Sequence, residues 1–197
     1  RHEGPDGYRP PHRIRHEAHF RALRELGVDT VFSLQSVGSL REEIAPGCFV
    51  VPDDFIQPWQ IVTSFDDERG HVVAEFDPEL RETIIEVLRN QDQLREQGVY
   101  VQTRGPRFET PAEARMLADY GNIVGMTSAS ELIIASQLDM RYASLCHVDN
   151  YVNGIAGSSI TVESFQQAVE SHLPNVRRAT LDVLNKITGF SLEEHQP

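Results

Sequence analysis

The chain has 197 residues, 40% of them hydrophobic and 24% charged, a balance that suits one soluble domain with a real core. Its 30 acidic residues against 18 basic leave a net charge of −12, which argues against a nucleic-acid binder held by phosphate contacts. No apolar run is long enough to span a membrane and no signal peptide is apparent, and the two distant cysteines, Cys48 and Cys146, suggest neither a disulfide framework nor a zinc site, so a cytoplasmic protein is expected.

In chain order, Arg1 to Pro11 is a loop rich in glycine and proline. A helix is predicted from Arg15 to Leu26, stopped by Gly27. Val28 to Leu34 reads as a strand, followed by a turn at Gln35 to Leu40, where Ser39 and Glu42 have the spacing of a capping box. Cys48 to Ile56 is strand-rich, and residues 57–70 suggest an ordered loop or edge hairpin. Asp77-Pro78 is an N-cap with proline at the first helical position, and the helix carries Leu80, Ile84, Val87, Leu88 and Leu94 before Gly98.

Val99 to Thr103 is the next strand. Thr110-Pro-Ala-Glu113 forms another capping box, opening a helix that ends near Gly121. Asn122 to Met126, a helix from Ser128 capped by Ser128 and Glu131, and a return strand from Arg141 to Val148 read as a βαβ unit with parallel strands. Ligands favour the carboxyl ends of such strands, which singles out Met126-Thr127 and Asp149-Asn150. A last helix is predicted from about Thr161, with Pro174 as a point of interruption. Helices alternating with strands indicate an α/β domain on a largely parallel or mixed sheet.

Three turns leading towards predicted helix starts attract interest: Gln35-Ser36, Phe108-Glu109 and Met126-Thr127. Their serines and threonines either cap helices or hold an anion with the help of Arg1. Glu109 either accepts a ligand N–H or pairs with Arg104 or Arg107. Asn150 either meets a heteroaromatic ring with donor and acceptor or serves a turn. His147, inside a strand, reads as a buried structural histidine, and His12, His16 and His19 lack metal spacing.

The segments Arg1-His2, Pro10-Pro-His-Arg-Ile14, Ser36-Val-Gly-Ser-Leu-Arg-Glu-Glu-Ile44, Pro46-Gly47, Gly105-Pro-Arg-Phe-Glu-Thr110 and Gly125-Met-Thr127 stand in this order. Together they closely resemble the trimeric purine nucleoside phosphorylase and methylthioadenosine phosphorylase family, over nearly the whole chain. The resemblance implies a mixed twisted β-sheet flanked by helices. It implies metal-free phosphorolysis with inorganic phosphate as co-substrate and no cofactor. It also implies a homotrimer, or a hexamer built from it, with neither a nucleic-acid nor a membrane partner.

By the same resemblance, Arg1, His2, Ser36 and Thr127 bind phosphate, Met126 lines the ribose and Phe108 packs near the base. Glu109 accepts the purine N1–H and Asn150 meets N7 and O6. Val162 meets the 5′ substituent and His71 arrives from a neighbouring subunit. Glu109 with Asn150 suits a 6-oxopurine, and the apolar Val162 suits a methylthio group. S-methyl-5′-thioinosine, inosine or guanosine is therefore the expected substrate, with S-methyl-5′-thioadenosine as the alternative. The family usually has a strand and a Gly-rich turn before the position of Arg1, which this sequence does not show, and this leaves a non-catalytic purine-binding protein as a further alternative. Gln35 and Asp149 stand where smaller or hydroxyl residues are expected.

Overall fold

In this computed structural model, residues 2–4, 7–90 and 93–190 are described. A small hairpin, β1 (Glu3–Gly4) with β2 (Gly7–Tyr8), precedes α1 (His16–Glu25). The main chain of elements is then β3 (Thr30–Ser39), β4 (Phe49–Val50), β5 (Asp54–Ile56), α2 (Pro78–Leu88), β6 (Leu94–Arg95), β7 (Val99–Gln102), α3 (Pro111–Ala118), β8 (Ile123–Gly125), α4 (Ser128–Gln137), β9 (Arg141–Tyr151) and α5 (Val162–Thr188). Short 3-10 turns lie at Glu68–Gly70 and Ile155–Gly157.

Seven strands form one mixed sheet in the order β5-β7-β8-β3-β9-β4-β6. The long pair β3 and β9 runs parallel through its centre, while β8 runs antiparallel to β3 on the other side. The expected α/β fold with a mixed sheet therefore holds, but the expected parallel βαβ unit does not. β3 lies between β8 and β9, so those two strands point in opposite directions.

The pleat of β9 distributes the core over both faces. Ala143 and Leu145 join Phe49, α2 and α5 in one cluster. Tyr142 joins Phe20, Leu132 and Ile134 from α1 and α4 in another. A third cluster packs α3 against Val101 and Val124.

Local signals that close on themselves came through as expected. Asp77 accepts from the Leu80 N–H at 2.7 Å, and Thr110 with Glu113 forms a reciprocal capping box. Signals that depend on distant partners did not. Ser39 ends β3 and bonds the backbone of Arg41, with no helix after it, so the predicted Ser39–Glu42 box is absent. Gln35 and Ser36 lie inside β3 because β9 pairs along its whole length. Leu94 belongs to β6, not to α2. α5 runs through Pro174 as one helix, and no helix among the described residues is long and apolar enough to cross a membrane.

Candidate active site

The ends of β3, β8 and β9 meet at one place because Gly38 of β3 pairs with both Val124 and Asn150. The pairing steps from Val37–Val148 to Gly38–Asn150, so Asp149 is an extra residue that bulges β9 there. A Cβ on Gly38 would stand 2.8 Å from Val152 Cγ2, so only glycine lets the end of β9 approach this closely.

Beside this junction lies a cleft of about 420 Å³. Of the residues singled out in the sequence, it brings together His2, Ser36, Phe108, Glu109, Met126, Thr127 and Asn150. Val162 is 58% exposed and does not line the cleft; Phe165 and Val169, further along α5, do. His71 is exposed on the loop after the 3-10 turn at Glu68–Gly70, away from the cleft. Arg1 lies outside the described residues.

One end of the cleft is polar. Thr127 follows β8 and is 4% exposed; its hydroxyl donates to Gln35 Oε1 at 2.7 Å. Gln35 Nε2 in turn donates to Ser33 at 2.8 Å and to Glu131 Oε2 at 3.1 Å. Glu131 also accepts from Ser33 at 2.9 Å and Tyr142 at 2.8 Å. Glu131 is therefore the acceptor of a buried network, and the predicted Ser128–Glu131 capping box is absent. The N-terminus of α4 is capped from β7 instead: the Tyr100 hydroxyl accepts the N–H groups of Thr127 at 3.3 Å and Ser128 at 3.2 Å. Gln102 takes the Ser130 N–H at 3.0 Å. With these amides already engaged, side chains rather than the bare helix end supply this part of the cleft with donors.

Ser36 is exposed into the same end and donates to Asp149 Oδ2. Asp149 is 4% exposed and also pairs with His147 at 2.9 Å. The His147 and Ser36 hydrogen bonds hold its carboxyl below the usual carboxylate range although burial opposes them. His2 is anchored by Nδ1 to the Arg9 carbonyl at 3.0 Å and stacks on Tyr8 with ring centres 5.7 Å apart.

The other end carries the ring-binding candidates. Glu109 is 6% exposed, accepts from the Thr103 hydroxyl at 2.7 Å, and is not engaged by Arg107, which pairs with Glu113 at 2.7 Å. Asn153 fixes the Glu109 backbone by donating to its carbonyl at 2.9 Å. Asn150 lies half-buried at the end of β9, its Nδ2 donating to the Tyr151 carbonyl at 3.0 Å. Phe108 and Phe165 form a tilted aromatic pair with centres 5.5 Å apart, giving an apolar wall. Met126 packs on Gly105, where a Cβ would collide with its sulfur. Phe165 and Val169 fall on the helix predicted from about Thr161, and nothing in the sequence marks them as facing a cleft.

A carboxylate and an amide at one end, hydroxyls and an imidazole at the other, and an aromatic wall between them suit a ligand with a polar heteroaromatic ring and an anion-binding part. Comparison with known proteins agrees. A family model described as the phosphorylase superfamily matches residues 10–185. A protein of Archaeoglobus fulgidus named probable 6-oxopurine nucleoside phosphorylase is 43% identical over 86% of this chain and 69% of its own length. One of Methanocaldococcus jannaschii, named probable S-methyl-5′-thioinosine phosphorylase, is 37% identical over 89% of this chain and 72% of its own. Methylthioadenosine phosphorylase from Schistosoma mansoni, solved with adenine, superposes with a TM-score of 0.82 over 96% of this chain and 75% of its own, at 22% identity, which speaks to the fold alone.

Proposed function

The chain belongs to the phosphorylase superfamily, and from that premise we propose that it cleaves 6-oxopurine nucleosides with phosphate, S-methyl-5′-thioinosine foremost. The observation that carries the substrate class is the placement of Glu109 and Asn150 in one cleft with Ser36 and Thr127. The named activities of the Archaeoglobus and Methanocaldococcus relatives support the same class.

In this reading the bond between C1′ and N9 breaks as an oxygen of hydrogen phosphate bonds C1′, giving a ribose 1-phosphate and free purine, which takes up the proton that the phosphate gives up. The ribosyl group passes through an oxocarbenium-like state, so catalysis rests on positioning and on stabilising developing charge. Glu109 accepts the N1–H of the 6-oxopurine. The Asn150 amide donates to N7 or O6 as negative charge builds on the leaving base. Phe108 and Phe165 hold the ring, and Met126 lies against the sugar. His2, Ser36, Thr127 and Arg1 receive phosphate. Val169 and Phe165 give the 5′ side an apolar surface in keeping with a methylthio group, with Val162 as a further contact after assembly.

Assembly is part of the reading. Ile61 is 96% exposed and Val73 84% exposed on the loop that carries His71. Apolar side chains so placed favour contact with a second copy, as in a homotrimer that brings His71 to a neighbouring cleft. The buried Cys48 and Cys146, which form no disulfide, accord with a reducing, cytoplasmic setting.

The test is base release from S-methyl-5′-thioinosine, inosine, guanosine and S-methyl-5′-thioadenosine, each with and without phosphate. Release only with phosphate, fastest for a 6-oxopurine, is expected. Equal release without phosphate would indicate a hydrolase, and S-methyl-5′-thioadenosine as best substrate would overturn the base assignment.

A further inference from the structure

We propose that His147, Asp149 and His172 form a binding site for a divalent transition-metal ion of the zinc class, beside the polar end of the cleft. Residues two apart on a strand share a face, so His147 continues the face of Leu145 towards α5, and Asp149, at the bulge of β9, meets His147 there. α5 supplies His172 to the same spot.

The donor atoms are spaced as ligands of one ion. Asp149 Oδ1 is 2.9 Å from His147 Nδ1 and 3.5 Å from His172 Nδ1, and the three ligand atoms lie within 4.8 Å of one another. Metal–nitrogen and metal–oxygen bonds of about 2.0–2.2 Å put neighbouring ligands of a tetrahedral ion roughly 3.3 Å apart. The two measured separations fall on either side of that value.

Two imidazole nitrogens at this spot lack a well-formed hydrogen bond, His172 Nδ1 lying 3.5 Å from Asp149 Oδ1. His147 Nε2 and His172 Nδ1 are buried and have no hydrogen-bond partner among the described residues. His147 is itself 2% exposed. Buried polar atoms are nearly always satisfied, and an ion held between the rings removes one of these two exceptions.

The surroundings favour a built site. Phe49, fully buried, packs its ring against His147 at 5.0 Å and closes one side. Ser36 donates to Asp149 Oδ2, which leaves Oδ1 presented to the histidines. On the other side a cavity of about 330 Å³ reaches from His147 and Asp149 to Ser36 and His2. His147 and Asp149 line that cavity, and three protein ligands on a tetrahedral ion leave a fourth coordination position for water or an anion. Two imidazoles and one carboxylate select zinc, cobalt, nickel or iron over magnesium and calcium, which prefer oxygen alone.

The experiment uses the untagged full chain, stripped with a chelator, loaded with Co(II) and dialysed. Expected are about one retained ion per chain, the visible absorption of low-coordinate Co(II), its loss on adding Zn(II), and at least a tenfold weaker retention in His172→Ala. A Zn(II)-dependent rise in the melting temperature of the wild type, absent from the variant, is expected alongside. Should His172→Ala fail to fold, His172→Gln replaces it, and the Co(II) spectrum of the wild type stands without any variant. Retention no greater than in the folded variant, or a wild-type spectrum of fully hydrated Co(II), would overturn the site. Metal uptake is read without turnover, so its failure leaves phosphorolysis untouched, and failure of phosphorolysis leaves the metal site standing.

Discussion

The hydroxyl of Thr127 donates to Gln35 Oε1 at 2.7 Å, so its one hydrogen is already committed within the protein. A phosphate bound as proposed would draw that hydrogen away from Gln35, whose amide is tied to Ser33 and Glu131. Thr127→Val is expected to raise KM for phosphate roughly tenfold or more, the worth of one charge-assisted hydrogen bond. Thr127→Ser should stay near the wild type. Initial rates at varied phosphate decide it; an unchanged KM in the valine variant would remove Thr127 from the phosphate end.

In the proposed reading, base choice rests on Asn150 and Glu109. Asn150→Asp replaces a donor with an anion that repels O6 and accepts from a 6-amino group. The ratio of kcat/KM for S-methyl-5′-thioinosine over S-methyl-5′-thioadenosine should fall by roughly 5- to 150-fold, since an unpaired buried polar group costs about 1–3 kcal/mol. Glu109→Gln should lower turnover of the 6-oxopurine because the amide cannot accept N1–H as strongly. A ratio unmoved by Asn150→Asp would make that residue a turn asparagine.

Tyr100 caps α4 from a neighbouring strand, and this can be measured as stability. Tyr100→Phe leaves the N–H groups of Thr127 and Ser128 without their acceptor in a buried place. A loss of about 2–4 kcal/mol is expected from two such groups. Urea denaturation followed by circular dichroism reads it, and a loss under about 0.5 kcal/mol would contradict the cap.

These same residues explain how far the sequence could be read. Thr110 with Glu113, and Asp77 with Leu80, satisfy each other within one helical turn, so their spacing alone identifies them. Ser128 and Glu131 have the same spacing, yet Tyr100 supplies the cap and Glu131 serves Ser33, Gln35 and Tyr142. Gln35 to Ser39 is polar and small enough to read as a turn, and only pairing with β9 makes it strand. The direction of β8 against β9 depends on β3 lying between them, a fact of sheet order that no local pattern carries. The site residues were legible mainly through their ordered motifs, whereas Phe165, Val169 and His172 come from a helix with no motif of its own.

Asp77 links the start of α2 to β9 and gives a pH signature. The Arg141 guanidinium, 2.7 Å away, holds its carboxyl below the usual carboxylate range against the opposing effect of burial, and the Leu80 N–H lowers it further. A carboxylate depressed in the folded state adds stability above its unfolded value of about 3.9, and that contribution fades as pH falls through the folded value. Asp77→Asn should therefore be less stable than the wild type by about 1 kcal/mol at pH 7, with the gap closing below about pH 4. Thermal melts of both proteins across that range provide the check; a gap that widens in acid would refute the linkage.

The passage of α5 through Pro174 divides the helix by anchorage rather than by shape. Its fully buried side chains, Ala179 and Val183, both follow the proline, while Phe165 and Val169, which wall the cleft, precede it. Proline also withholds the N–H that would bond the carbonyl one turn earlier, so the two halves are coupled by one ladder bond fewer. In native-state hydrogen exchange, the amides of residues 165–173 should open well before those of residues 179–186. The helix thus serves as a fixed post for the core in its second half and as a wall of the cleft in its first.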